Sequence, residues 1–235
     1  MTLKEVMTEL KGYGNESTKK IFLKHGASEP IFGVKVQDLK KIQKKVKKNH
    51  ELSLELYDTN NGDAMYLAGL IADEKKITKT QLKKWAKNAK WYYNSEYTVP
   101  WVAADSDLGF DLALEWIESK KETIASCGWA TLANHVIVKA DEDIDLKQIK
   151  KLLTRAQKEV HSAPNRVRYT MNNYIIAVGS FIESLSVDAL KIAEKVGKVE
   201  VEMGGTSCKV PLAADYIRKT TDKGGVRKKK KTARC

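Results

Sequence analysis

The strongest constraint on the fold is a recurring grammar: an apolar helical stretch, a polar turn, then an amphipathic stretch. Met65-Tyr66-Leu67-Ala68-Gly69-Leu70-Ile71-Ala72 is followed by Thr80-Gln81-Leu82-Lys83-Lys84-Trp85-Ala86. Gly128 to Ile137 is followed, past the acidic turn Asp141-Glu142-Asp143, by Leu146 to Leu153, and Met171 to Phe181 by Val187 to Ala193. Val99–Phe110 with Leu112–Lys121 supplies a further pair between the first two. One such pair cannot bury its apolar face alone. A recurrence of roughly 35–45 residues therefore predicts stacked pairs, a helical solenoid of the HEAT type. Ahead of the repeats, helices are expected from Thr2 to Gly12, after the polar cap at Asn15, and from Val36. There Leu39, Ile42 and Val46 make one apolar stripe among lysines.

A chain of 235 residues is long enough for one well-filled core. Only 4 prolines and 14 glycines argue against an all-β chain, which needs many turns. No apolar run reaches the length of a membrane span, and the first residues lack a signal peptide's apolar core. A cytoplasmic, nucleoid-associated monomer is the expectation. Cys127, Cys208 and Cys235 show no Cys-x-x-Cys spacing, and the histidines are scattered, so neither a disulfide framework nor a metal site is expected. The formal net charge is +12, and Lys223, Arg227, Lys228, Lys229, Lys230, Lys231 and Arg234 supply much of it. Like-charge repulsion and few apolar anchors predict a single domain over 1–222 and a disordered basic tail over 223–235. Each tail cation that neutralised a phosphate would steepen the salt dependence of binding.

Chemistry concentrates in Lys83-Lys84-Trp85-Ala86-Lys87-Asn88-Ala89-Lys90-Trp91-Tyr92-Tyr93, with Glu96 just beyond. Cations interleaved with flat rings suit a polyanion that carries stackable bases, so Lys83, Lys84, Lys87 and Lys90 are candidates for backbone contact and Trp91 and Tyr92 for bases. The same run also suits a surface helix with its tryptophans in the core and its lysines in water. Lys198 to Val210 alternates with period two around Gly204-Gly205. A β-hairpin is expected there, pairing Val199 with Val210, Val201 with Cys208, and Glu200 with Lys209. Arg166, Arg168, Lys198 and Lys209 lie near that turn in sequence or in the preceding repeat and are further phosphate candidates.

Two stretches carry a resemblance. Ile31-Phe32-Gly33-Val34-Lys35-Val36-Gln37-Asp38-Leu39-Lys40-Lys41-Ile42 and Lys90-Trp91-Tyr92-Tyr93-Asn94-Ser95-Glu96-Tyr97-Thr98-Val99-Pro100 resemble motifs of the AlkD-like DNA alkylation repair family, and the similarity spans about residues 15–195. The resemblance implies an all-α, right-handed α–α superhelix clasping duplex DNA in a basic concave cleft. It also implies that active members excise cationic N3- or N7-alkylated purines with no metal or organic cofactor. A fixed carboxylate would stabilise the cationic sugar left by bond breaking, and aromatic faces would attract the charged lesion. The family's acid falls on Glu96, where active members have aspartate, and its preceding aromatic on Tyr92, where they have tryptophan. Its cleft arginine falls near Cys127 and its second cleft tryptophan near Asn173. The Gly204-Gly205 hairpin resembles the insertion of the AlkF-type branch, which is associated with branched DNA and not with excision.

The leading expectation is thus a DNA-binding solenoid favouring distorted or branched duplex, with little or no base excision. The alternative is an alkylpurine DNA glycosylase with Glu96 as its carboxylate and Tyr92 beside the lesion. A protein-binding scaffold is the third.

Overall fold

The computed structural model describes all residues except Ser207 and Lys223. Among the described residues the fold is entirely helical. The elements are α1 (Leu3–Tyr13), α2 (Glu16–Lys24), α3 (Val36–Val46), α4 (His50–Asp58), α5 (Gly62–Ile71), α6 (Lys79–Asn88), a π-helical turn (Tyr93–Thr98), α7 (Val99–Asp105), α8 (Gly109–Trp116), α9 (Glu122–Val138), α10 (Leu146–Glu159), α11 (Asn165–Phe181), α12 (Glu183–Val196) and α13 (Ala213–Thr221), with a 3-10 turn at Asp141–Asp143.

From α4 onward the helices pair: α4 with α5, α6 with α7, α8 with α9, α10 with α11, and α12 with α13. The second members touch one another in sequence, α5 to α7 to α9 to α11 to α13, forming an inner row. Composition explains which helix goes where. All of α5 is buried, and α9 and α11 are buried over most of their length. α10 buries only Ile149, Leu152, Leu153 and Ala156 and turns its lysines outward. Cations of the outer row bridge neighbouring helices: Lys84 to Asp58 at 2.7 Å, Lys83 to Glu115 at 2.7 Å, and Lys150 to Asp188 at 2.7 Å. Exposed pairs of this kind contribute about 0–1 kcal/mol each, so apolar burial between rows holds the stack. Polar side chains start the helices: Thr2 and Thr78 form capping boxes, and Asn15, Asn49, Asn61 and Asp145 accept backbone N–H bonds.

The expected β-hairpin is absent: no strand occurs among the described residues. Instead, side chains of α11 occupy the backbone groups that a ladder would use. Asn165 Nδ2 donates to Glu202 O (3.0 Å), Glu202 N–H donates to Asn165 Oδ1 (2.7 Å), and Arg168 reaches Glu200 O (3.4 Å). Glu200 pairs with Lys198 at 3.1 Å rather than with Lys209. The Gly204-Gly205 turn itself exists, with φ of +68° and +66°. It folds back onto the end of α2, where a Cβ on Gly204 would lie 2.2 Å from Lys24 O.

Two further expectations change. The apolar stretch 99–110 is two helices, because the chain doubles back at Ser106. A Cβ on Gly109 would sit 2.2 Å from Ala103 O, so only glycine permits that approach. The basic segment 224–235, expected to lack order, runs instead along the inner row. Arg227 N–H donates to Ser180 O at the end of α11 (2.8 Å), and Lys230 N–H to Ile137 O at the end of α9 (2.9 Å). Ala233 N–H donates to Asp105 Oδ1 at the end of α7 (2.7 Å), and Arg234 Nε to Gly69 O near the end of α5 (2.9 Å). No helix of the described residues is long and apolar enough to cross a membrane.

Candidate nucleic-acid interface

Between α6 and α7 the chain makes a π-helical turn, a local widening of the helix that is frequent at functional sites. Thr98 Oγ1 donates to Tyr93 O, five residues back, at 3.3 Å. Gly69 of α5 makes room for it, since a Cβ there would lie 2.8 Å from Thr98 Cγ2 and 3.1 Å from its Cα. The turn carries Glu96, whose side chain is nearly solvent-free at 2% exposed. Arg166, near the start of α11, meets it with both fork nitrogens: Nε to Oε1 at 2.7 Å and Nη2 to Oε2 at 2.6 Å. The guanidinium lies between two rings, 4.5 Å from the centroid of Tyr92 and 4.6 Å from that of Tyr169. Arg166 N–H also donates to Glu122 Oε1 (2.6 Å), and its Nη1 contacts Met203 Sδ (3.5 Å).

Electrostatics follow from this enclosure. Burial outweighs the pull of Arg166 and, with repulsion from Glu122, leaves the Glu96 carboxyl raised to about 7. Burial likewise drives the Tyr92 and Tyr97 phenols well up. Burial disfavours the Arg166 charge, yet Glu96 more than compensates and raises its pKa. A planar cation thus fills an aromatic-and-carboxylate cage, and the cation belongs to the protein.

The sequence-selected residues divide. Glu96, Tyr92 and Arg166 converge. Lys90 and Gly204 line a cavity of about 300 Å³ beside Tyr92 and Arg166. Glu96 and Lys209 border a second cavity of about 610 Å³, whose wall includes Tyr97, Trp101, Tyr169 and Asn173. Arg168, Lys198 and Lys209 share a third hollow along 198–210. Gly205 is exposed, as is Lys87 on α6. Lys83 and Lys84 are engaged by carboxylates of the outer row, away from the cage. Trp91 is 4% exposed and stacks on Tyr93, with centroids 4.2 Å apart, so no base reaches its face. Trp85 stacks on Tyr57 in the core.

Cys127, at the position expected to match the cleft arginine, is fully buried. Sequence reasoning missed Tyr169, Tyr97 and Glu122. Tyr169 had a signal: it lies three residues after Arg166, so one helix face presents both. Gly33, part of the first motif, is structural. Its φ is +78°, and the N–H groups of Phe32, Gly33 and Val34 all donate to the Asp63 carboxylate, at 2.6, 3.0 and 3.0 Å.

Beside the inner row of stacked helices the chain thus holds a carboxylate caged by an arginine and two aromatic rings. The family model described as DNA alkylation repair enzyme matches residues 6–198, and the chain belongs to that family. It is 36% identical over 229 residues to the uncharacterized protein Lin0241 of Listeria innocua serovar 6a, covering 95% of this chain and 99% of that one. It is 35% identical to the uncharacterized protein Lmo0209 of Listeria monocytogenes serovar 1/2a over the same shares. A solved structure, described as a new family of proteins related to the HEAT-like repeat DNA glycosylases with affinity for branched DNA structures, superposes with a TM-score of 0.90 at 36% identity over all of both chains.

Proposed function

We propose that this protein binds distorted or branched duplex DNA and does not excise bases. The observation that carries the reading is the bidentate Glu96–Arg166 pair. Excision of a cationic purine requires a carboxylate facing the sugar as positive charge develops there. Here both carboxylate oxygens are taken by a guanidinium at 2.6 and 2.7 Å, and the aromatic faces that would hold a charged base hold Arg166. Likeness to a structure described as having affinity for branched DNA supports the choice of ligand. Lys90 lines the hollow beside Tyr92 and Arg166, and Arg168, Lys198 and Lys209 line the one along 198–210. These cations would contact backbone, while Tyr97 and Tyr169 border a cavity of about 610 Å³ in which an unstacked base would meet a ring face.

A second reading rests on Glu96 bordering that cavity. If Arg166 left the carboxylate for a phosphate on binding, Glu96 would face bound DNA and excision would return. Two measurements separate the readings. Gel-shift titration should favour a four-way junction over linear duplex, and 7-methylguanine release from methylated DNA should stay at background. Release that Glu96→Gln abolishes would establish the glycosylase.

A further inference from the structure

The basic segment 224–235 crosses the ends of four successive inner helices in reverse order, α11, α9, α7 and α5. Each of these ends is electronegative, because the last carbonyls of a helix lack partners within it and the aligned peptide dipoles place partial negative charge there. Acidic side chains add to it. The segment answers with inward-turned donors. Lys229 Nζ donates to Val136 O at 2.8 Å and pairs with Asp141 at 2.7 Å. Thr232 Oγ1 donates to Asp105 Oδ2 at 2.5 Å. Arg234 donates to Gly69 O at 2.9 Å and Ala72 O at 3.1 Å, and pairs with Glu74 at 3.1 Å and Asp105 at 3.4 Å. The Arg234 side chain is 11% exposed, and Ala233 is buried. Burial alone would raise the Glu74 carboxyl, but bonds from Lys48 and Arg234 hold it down at about 2.

The remaining cations of the segment, Arg227, Lys228, Lys230 and Lys231, are exposed. Arg227 and Lys230 stand at the wall of the cavity of about 610 Å³ that Glu96 and Tyr169 border. The segment therefore lies beside that cavity without filling it, and reverses the charge of the edge beneath. We infer that 224–235 is a fixed cationic strap forming one edge of the DNA-binding face, with Arg227, Lys228, Lys230 and Lys231 as phosphate contacts. The inference rests on the DNA-binding reading above and specifies which surface the backbone meets. A strap of this kind differs from a free basic tail in a testable way: its contribution depends on the anchor as well as on its charge.

Three measurements on the full chain test it. Hydrogen exchange of the free protein should show protected amides at Lys230 and Ala233, and exchange at unfolded rates would overturn the anchored strap whatever the DNA result. Replacing Lys228, Lys230 and Lys231 together by Gln should flatten the slope of log K against log salt for a four-way junction by about 3, at roughly one ion per phosphate contact. An unchanged slope, with the parent protein still binding, would overturn this inference alone. Asp105→Ala removes the central anchor while making the protein more positive. The strap predicts weaker junction binding, by about tenfold at 0.15 M salt, on the scale that losing a few phosphate contacts produces. Equal or tighter binding contradicts it. Should Asp105→Ala not fold, Thr232→Val breaks the same anchor at unchanged charge and gives the same contrast: weaker junction binding supports the strap, and equal or tighter binding contradicts it. Failure of the parent protein to bind any DNA would defeat the underlying reading as well.

Discussion

Arg166 is the residue on which the site's chemistry turns, and its removal should be costly. Arg166→Ala leaves the buried Glu96 without a counter-charge, which destabilises by about 3–5 kcal/mol in comparable buried pairs. Replacing both partners by apolar residues of similar size, Glu96→Leu with Arg166→Met, should recover most of that loss. Urea denaturation of the two variants checks this, and equal losses would contradict it. His135 makes a second residue-scale prediction. Burial, with Lys139 and Lys229 nearby, lowers its pKa to about 4 from 6.5. The folded state therefore holds the neutral ring, so this contribution is complete above pH 6.5 and is lost as pH falls towards 4. Linkage puts it at no more than about 3 kcal/mol. His135→Gln should flatten the acid limb of the stability profile across that window, and an unaltered limb would contradict it. Neither residue's environment was legible in the sequence. Glu96 and Arg166 stand 70 residues apart, and nothing in either local pattern says that one faces the other.

At the scale of elements, the helix pairs were readable because an inner helix and an outer helix differ in composition. All of α5 is buried, whereas α10 pairs an apolar stripe with outward lysines. Segment 198–210 shows what pattern alone leaves out. Its alternation and its Gly-Gly turn were real, and both glycines have the positive φ that a tight turn needs. The ladder failed because Asn165 and Arg168, far away in sequence, supply the hydrogen bonds first. Asn165→Ala should therefore speed amide exchange at Glu202 without unfolding the repeats, and unchanged exchange there would contradict that account. The close approach of α5 to the π-helical turn gives a further test. Gly69→Ala forces a methyl group against Thr98 and should cost about 1–3 kcal/mol, the usual range for overpacking, measured by thermal unfolding. No loss of stability would show that the turn shifts freely.

At the scale of the whole molecule, charge is sorted by surface. Outer-row lysines such as Lys83 and Lys84 are spent on neighbouring carboxylates, whereas Arg227, Lys228, Lys230 and Lys231 stand exposed along the edge of the inner row. Net charge from sequence could not make that distinction, because it counts both sets alike. The proposed function requires a face that engages DNA through its backbone and prefers a branch to a straight duplex. The direct measurement is competition between a four-way junction and linear duplex of equal nucleotide content, titrated across a salt series. The account predicts a lower Kd for the junction at every salt concentration and a steep loss of affinity as salt rises. Equal affinity for both ligands, or binding indifferent to salt, would contradict it.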